Sequence, residues 1–347
     1  MTRYRDTGVD IARGEAIKQD IIRDATSTWT PAVRRLVGGF AGVMEWRDGD
    51  TGTGPSLLAA TMDGVGTKLH VGLAAGRVGD AAADLVYHGA NDLLVHGARP
   101  LAFLDYVAQA RIDPHVVRQV VQGLARACLD IGAVLLGGET AEMPDTYLDG
   151  VVDVAGCMIG WVDPATLRDG SRVRPGDVVL GLAAAGLHTN GFSLARRVLL
   201  DCGLTLESVL PGGSGESIGE ALLAPHRWYG RCLLPELPGS RVRAMAHVTG
   251  GGICGNLVRV LPEGCHAVID RAWPRPALFE WLCAAGDIPE DDARQTLNLG
   301  LGFILVVEAK GAGALAEDLA SFGETVFRIG RVLEGIRGVS WDVAPAG

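Results

Sequence analysis

The chain's 347 residues exceed the roughly 100–200 of one ordinary domain, which makes two domains the expectation. Hydrophobic residues at 48% and charged residues at 21% fit a globular protein and exclude a disordered one. A net charge of −10 argues against a nucleic-acid partner, which demands a basic stripe, and no apolar run reaches the roughly 18 residues of a membrane span.

The N-terminus, "MTRYRDTGVDIARGE", lacks an apolar signal core, and the seven cysteines are odd in number and scattered without a CxxC. Both features point to a reducing cytoplasm. "SLLAAT" (56–61) is predicted as a short buried strand, and "LHVGLAAG" (69–76) as helical or mixed. "AAADLVYHGANDLLVHG" (81–97) is predicted as a helix and "PLAFLDYVAQA" (100–110) as a strand. An amphipathic helix is expected from Pro114 to Gly132, then strands at "AVLLGGET" (133–140) and "VVDVAGCMIGWV" (151–162). Residues 163–177 combine Pro, Gly and charge without periodicity and are predicted as a linker between domains at 1–165 and 172–340. Beyond it, strands at 178–186, 266–270 and 301–309 alternate with helices at 191–203, 276–286 and 313–323, followed by "TVFRIGRVLE" (325–334), an α/β or α+β rhythm.

The 49 glycines are about twice the usual share of roughly 7%, and their clusters suggest places where backbone approaches a ligand. In "MDGVGTKLH" (62–70), Gly64 and Gly66 stand one residue apart and Lys68 follows two later, which is not a Walker loop. Asp63, Asp92, Asp105 and Glu139 are all expected at or near element ends, where α/β folds place ligands. A few such carboxylates suit magnesium shared with nucleotide phosphates. In "GLHTNGFSLARR" (186–197), Asn190 or Thr189 is a candidate helix cap, with His188 beside free N–H groups. Gly250, Gly251 and Gly252 precede a further helix and permit close approach of a phosphate.

The ordered segments "YRDTGVDIARGEAI", "GGFAG", "DGVGTK", "NDLLVHGARPLAFLDY", "GGETAEMPDTY", "DVAG", "GLHTNGFSLARR", "LLAPHRWY" and "HVTGGGICGNLVRVLP" resemble the phosphoribosylformylglycinamidine cyclo-ligases, also called aminoimidazole ribonucleotide synthetases, from about residue 4 to about 335. The resemblance implies an α/β (α+β) two-domain fold and a homodimer whose N-terminal domains pair into a barrel-like interface. It also implies ATP-dependent closure of formylglycinamidine ribonucleotide to aminoimidazole ribonucleotide, with ATP and Mg2+ bound. Carried onto this chain, it makes His188, Asp92 and Lys68 the catalytic candidates. Asp63, Gly64, Gly66, Thr67, Lys68, Asn190, Gly250, Gly251 and Gly252 become the ATP and phosphate candidates, and Asp63, Asp92, Asp105 and Glu139 the metal candidates. Segment 4–21 reads either as a flap over the nucleotide or as a surface arm.

The chain departs from the family pattern at Thr7, after Phe40 in "GGFAGVM", in "YHGAND" ahead of Asn91, and in "TLNLGLGF". None of these removes a candidate acid, Lys68 or His188, the loss expected of a silent nucleotide-binding paralogue. Relatives that make selenophosphate, phosphorylate thiamine phosphate or mature hydrogenases share the implied architecture. No cysteine precedes the first glycine loop and the tail "DVAPAG" has no cysteine, so the marks of the first and last are missing.

Overall fold

The computed structural model describes residues 26–34, 39–46 and 56–342; the expected flap or arm at 4–21 and Thr7 lie outside them. The N-terminal half runs β1 (Val33–Arg34), β2 (Gly42–Trp46), β3 (Ser56–Gly64), α1 (Lys68–Ala74), α2 (Val78–Val95), β4 (Arg99–Gln109), α3 (Pro114–Ile131), β5 (Val134–Glu142) and β6 (Val152–Val162). Its six strands form one sheet in the order β1-β2-β3-β6-β4-β5, with every pair antiparallel except β4 and β5. β6 alternates strictly: Val152, Val154, Met158 and Val162 are buried toward the helices, while the intervening residues face the other way. That other face is left bare, with Met44, Trp46, Met62, Leu101, Leu136 and Trp161 exposed.

α3 forms as its sequence dictates. Asp113 caps it by accepting from His115 N at 2.8 Å, Pro114 fills the first turn, and Gly132 ends it in the left-handed region at φ 73°. α2 is different in kind. It is apolar nearly all round because it is packed on both sides, against β3, β4 and β6 on one flank and the strand Val242–His247 of the second half on the other. The few polar residues it carries, His88, Asn91 and Asp92 among them, are therefore held between the halves.

The second half comprises β7 (Val178–Ala183), α4 (Phe192–Asp201), α5 (Ile218–Leu222), α6 (Gly230–Leu233), β8 (Val242–His247), α7 (Gly252–Leu257), β9 (Cys265–Ile269), α8 (Ala277–Ala285), α9 (Glu290–Thr296), β10 (Leu301–Val307), α10 (Ala312–Ser321), β11 (Val326–Glu334) and β12 (Gly338–Trp341). Its sheet order is β12-β9-β11-β7-β10-β8, antiparallel except for β12 on β9. β10, "LGFILVV", is buried along its whole length, as an unbroken apolar strand in the sheet interior should be.

Several expectations need correction. Asp105 and Glu139 lie inside strands of 11 and 9 residues and not at element ends: β4 nearly coincides with the predicted strand 100–110, which already encloses Asp105, and β5 runs on to Glu142, past the predicted end at 140. β1, β2, α5, α6, β8, α9 and β12 are additions to the predicted elements. The 163–177 segment is anchored: buried Arg168 donates to the carbonyls of Thr166, Leu237, Gly239 and Val242 at 2.6–3.0 Å.

Candidate active site between the two domains

The Asp63 turn ends β3 at the seam between the halves. Asp63 Oδ1 accepts from Gly64 N at 2.7 Å, and Oδ2 faces His88 Nε2 at 2.8 Å. Burial raises the carboxyl pKa, but the His88 hydrogen bond and charge, with Gly64 N–H, outweigh it and hold Asp63 below the usual range. With its side chain 47% exposed, Asp63 is the outward-facing acid of a buried cluster. Behind it, His88 Nε2 also lies 3.6 Å from Asp92 Oδ2, and Asp92 Oδ1 accepts from His247 Nδ1 at 2.8 Å. His247 Nε2 meets His226 Nε2 at 3.0 Å, and the His226 ring stacks on His188 with centroids 4.0 Å apart.

Four histidines thus converge from both domains. For His88, burial opposes the charge, yet Asp92, Asp63 and Asp84 raise its pKa. Burial lowers His247, an effect Asp92 opposes. His188 and His226 fall well below the ordinary value, chiefly through burial and then through neighbouring cations, so both are neutral imidazoles. His188 sits at φ 60°, an uncommon conformation for a residue with a side chain, and its Nδ1 has no hydrogen-bond partner. The backbone of Gly302 makes room for it, since a Cβ there would collide with the His188 ring and the Tyr229 hydroxyl.

Lys68 is fully buried. Its ammonium pairs with Asp84 and donates to the carbonyls of His188 at 3.0 Å and Ala224 at 3.3 Å, which occupies all three N–H groups. Thr67 reaches across the seam to Ser193 at 3.1 Å, and Thr189 bonds His88 Nδ1 at 2.8 Å. Neither Asn190 nor Thr189 caps α4: the cap is Gly191 at φ 85°, without a side-chain bond, because the Thr189 hydroxyl turns to His88. Gly250 packs toward Asn190, so the two turns meet, whereas a Cβ on Gly252 would strike the Arg294 carbonyl. Gly251 is the left-handed cap of α7.

Strand register settles the remaining acids. Asp63 pairs with Gly156, Gly156 with Asp105 and Asp105 with Gly138, so Asp63 and Asp105 share the helix-covered face two strands apart. Asp105, whose pKa is raised by burial, leans over Gly138. Glu139 pairs with Tyr106 and faces the bare side. The structure therefore gathers Asp63, Gly64, Thr67, Asp92, His188, Asn190 and Gly250, with Gly66 in the turn, and leaves Glu139 apart.

A model described as AIR synthase related protein, N-terminal domain, matches residues 40–162, and its C-terminal counterpart matches 174–342. The phosphoribosylformylglycinamidine cyclo-ligase of Myxococcus xanthus is 44% identical over 335 residues, covering 96% of both chains. That of Sorangium cellulosum is 45% identical over 334 residues, 95% of both. The chain belongs to the phosphoribosylformylglycinamidine cyclo-ligase family. The fold reaches wider than this family: thiamine-monophosphate kinase from Stenotrophomonas maltophilia aligns with a TM-score of 0.63 at 20% identity, covering 94% of this chain and 96% of that one.

Against the cyclo-ligase pattern, the residues missed from sequence are His88, His226, His247, Asp84 and Asn91. His88 falls in the "YHGAND" departure, which is the one sequence signal for it. Asn91 clips the 226–229 segment in place, donating to Arg227 O at 2.8 Å and accepting from Tyr229 N at 3.2 Å.

Proposed function

We propose that the interdomain centre is where this ATP-dependent cyclo-ligase closes formylglycinamidine ribonucleotide to aminoimidazole ribonucleotide, a step of purine biosynthesis. The convergence of the Asp63–Thr67 turn with the 188–193 and 250 turns carries the reading. A formamide oxygen leaves poorly. Transfer of the ATP γ-phosphoryl group to it creates a leaving group, the amidine nitrogen attacks the same carbon, and ADP, phosphate and one proton are released.

The outward carboxylate of Asp63, held ionised, offers the hard oxygen donor that magnesium prefers, and Asp105 adds another on the same face. When bound with the nucleotide, magnesium neutralises charge on the transferring phosphoryl group. In this reading Asp63 holds it, and the backbone of Gly64, Gly66, Gly250 and Gly251 approaches the phosphates, with Thr67 and Asn190 as polar contacts. Asp92 turns both oxygens toward imidazoles and acts by orienting His88 and His247. Lys68 acts as a positioning residue, tying the 188 turn to Asp84. His188 is the proton-transfer or phosphate-contacting group, and the phosphate charge brought by the substrates offsets the burial and cations that hold its imidazole neutral.

The same reading includes a homodimer. The bare sheet face, with Trp46 59% and Met62 69% exposed, is an apolar patch of the kind that a second copy covers, and Glu139 belongs with that contact. The charged substrates suit a cytoplasmic setting, and no helix among the described residues is long and apolar enough to cross a membrane.

The test is ADP release with ATP, magnesium and formylglycinamidine ribonucleotide, run beside a colour assay for the aminoimidazole. Both products should form in step. His188→Ala should lower kcat by roughly 10²–10⁴-fold, the usual contribution of a general base, with a smaller change in KM. ADP without aminoimidazole would mean another phosphoryl acceptor, and nucleotide binding without turnover would mean a silent module.

A further inference from the structure

Three of the buried histidines stand close enough together to share a metal ion. His88 comes from α2, His226 from the segment after α5 and His247 from the end of β8, and one ligand atom of each lies within 4.8 Å of the others. All three are buried. Asp92 Oδ1 can only accept from His247 Nδ1, so neutral His247 presents the lone pair of Nε2 to the cluster. A carboxylate fixing the far nitrogen of an imidazole is the outer arrangement found behind protein-bound zinc. His226 Nε2 must then carry the proton shared across the 3.0 Å contact, which leaves its Nδ1 as a buried nitrogen without a partner. An ion that displaces this proton can send it to that Nδ1, and the proton that His88 Nε2 holds against Asp63 Oδ2 at 2.8 Å leaves to solvent past that half-exposed carboxylate. Charge favours a dication as well, since the carboxylates of Asp63 and Asp92 both lie against His88, while Asp84 is paired with Lys68.

We propose that His88, His226 and His247 form a site for one divalent transition-metal ion of the zinc class, bridging the two domains, with Asp92 as its outer carboxylate. Imidazole nitrogens select zinc, cobalt or nickel over magnesium, so the site is separate in chemistry from an oxygen-ligated ion at Asp63. Asp63, half exposed and in contact with His88, marks the side from which the ion enters. Among these ligands His88 lies where the chain departs from the family's pattern, so the site is expected to be a property of this protein and its nearest kin.

The experiment titrates metal-stripped full-length protein with Co2+ in excess Mg2+, following visible absorption, and repeats it with Zn2+ by calorimetry. One equivalent should bind per chain with the intense absorption of a nitrogen-rich, low-coordinate cobalt centre. His226→Gln and His88→Gln should each abolish that signal while circular dichroism melting shows a folded chain. Asp92→Asn should weaken binding about 10–100-fold, as loss of an outer partner does. Asp63→Asn should leave the spectrum in place. A weak spectrum typical of six oxygen ligands, no binding, or binding lost in Asp63→Asn but kept in His226→Gln would each overturn the site. Should both glutamine variants fail to fold, the wild-type cobalt spectrum decides by itself. None of these readouts depends on turnover, so the site and the cyclisation stand or fall separately.

Discussion

At the scale of single residues, Lys68 shows how burial redirects a side chain that looks chemical in the sequence. A lysine two residues beyond a glycine turn reads as a phosphate contact, yet its ammonium is enclosed by Asp84 and two carbonyls from the other domain. Removing one partner of such a pair leaves a buried charge uncompensated and costs about 3–5 kcal/mol. Lys68→Met should therefore lower the urea midpoint strongly, because burial already raises the Asp84 pKa and the Lys68 charge is what chiefly opposes that rise. Lys68→Met with Asp84→Asn should recover much of the loss, since Asn retains an acceptor for His226 N, now bonded to Asp84 at 2.9 Å. Equal loss in the single and double variants would show that the pair does not set the stability of the seam.

At the scale of elements, the packing of α2 on α3 depends on two glycines. A Cβ on Gly123 would overlap the Gly79 carbonyl, and one on Gly79 would overlap the Gln119 carbonyl, so the helix backbones touch. Gly123→Ala should force them apart at a cost of about 1–3 kcal/mol or more. Gly313→Ala, on α10 with open space around it, should be neutral or stabilise by up to roughly 1 kcal/mol. Chemical denaturation of the pair checks both, and similar midpoints would refute the close-contact account. Neither glycine is marked in the sequence, whereas the bounds of α3 are legible there, because Asp113, Pro114 and Gly132 act locally. β8 escapes a sequence reading since "VRAMAH" has no strict alternation and is almost wholly buried. The same omission hides His247. His88, His226 and His247 stand far apart in the chain, and only the packing of α2 between two sheets brings them together. The α4 cap differs from expectation for a related reason: Thr189 is an adequate cap until a histidine from the other domain claims its hydroxyl.

At the scale of the whole molecule, the bare sheet face predicts assembly. Trp161→Asp should convert a dimer to monomers in light scattering while the far-UV spectrum is kept; a wild-type monomer at micromolar concentration would refute the interface. Acid stability tests a second long-range device, His96, which ends α2 and joins three distant segments. Its Nε2 accepts from Phe40 N at 3.0 Å and its Nδ1 donates to Arg168 O at 3.1 Å, so the neutral ring is the bonded form. Burial pulls its pKa from 6.5 to about 4. Because the folded value lies below the unfolded one, the unfolded chain binds the proton more readily between them. The stabilisation from neutral His96 is then fully present above pH 6.5 and is lost as pH falls through about 4. The shift corresponds to roughly 3 kcal/mol across that window. His188, His226 and His247, also lowered, add to the slope, while His88, raised by its carboxylates, opposes it. His96→Gln keeps a donor and an acceptor but does not titrate. Its urea midpoint should fall less than that of the wild type between pH 7 and pH 4.5, and parallel losses in the two proteins would mean that His96 is not among the groups that set acid stability.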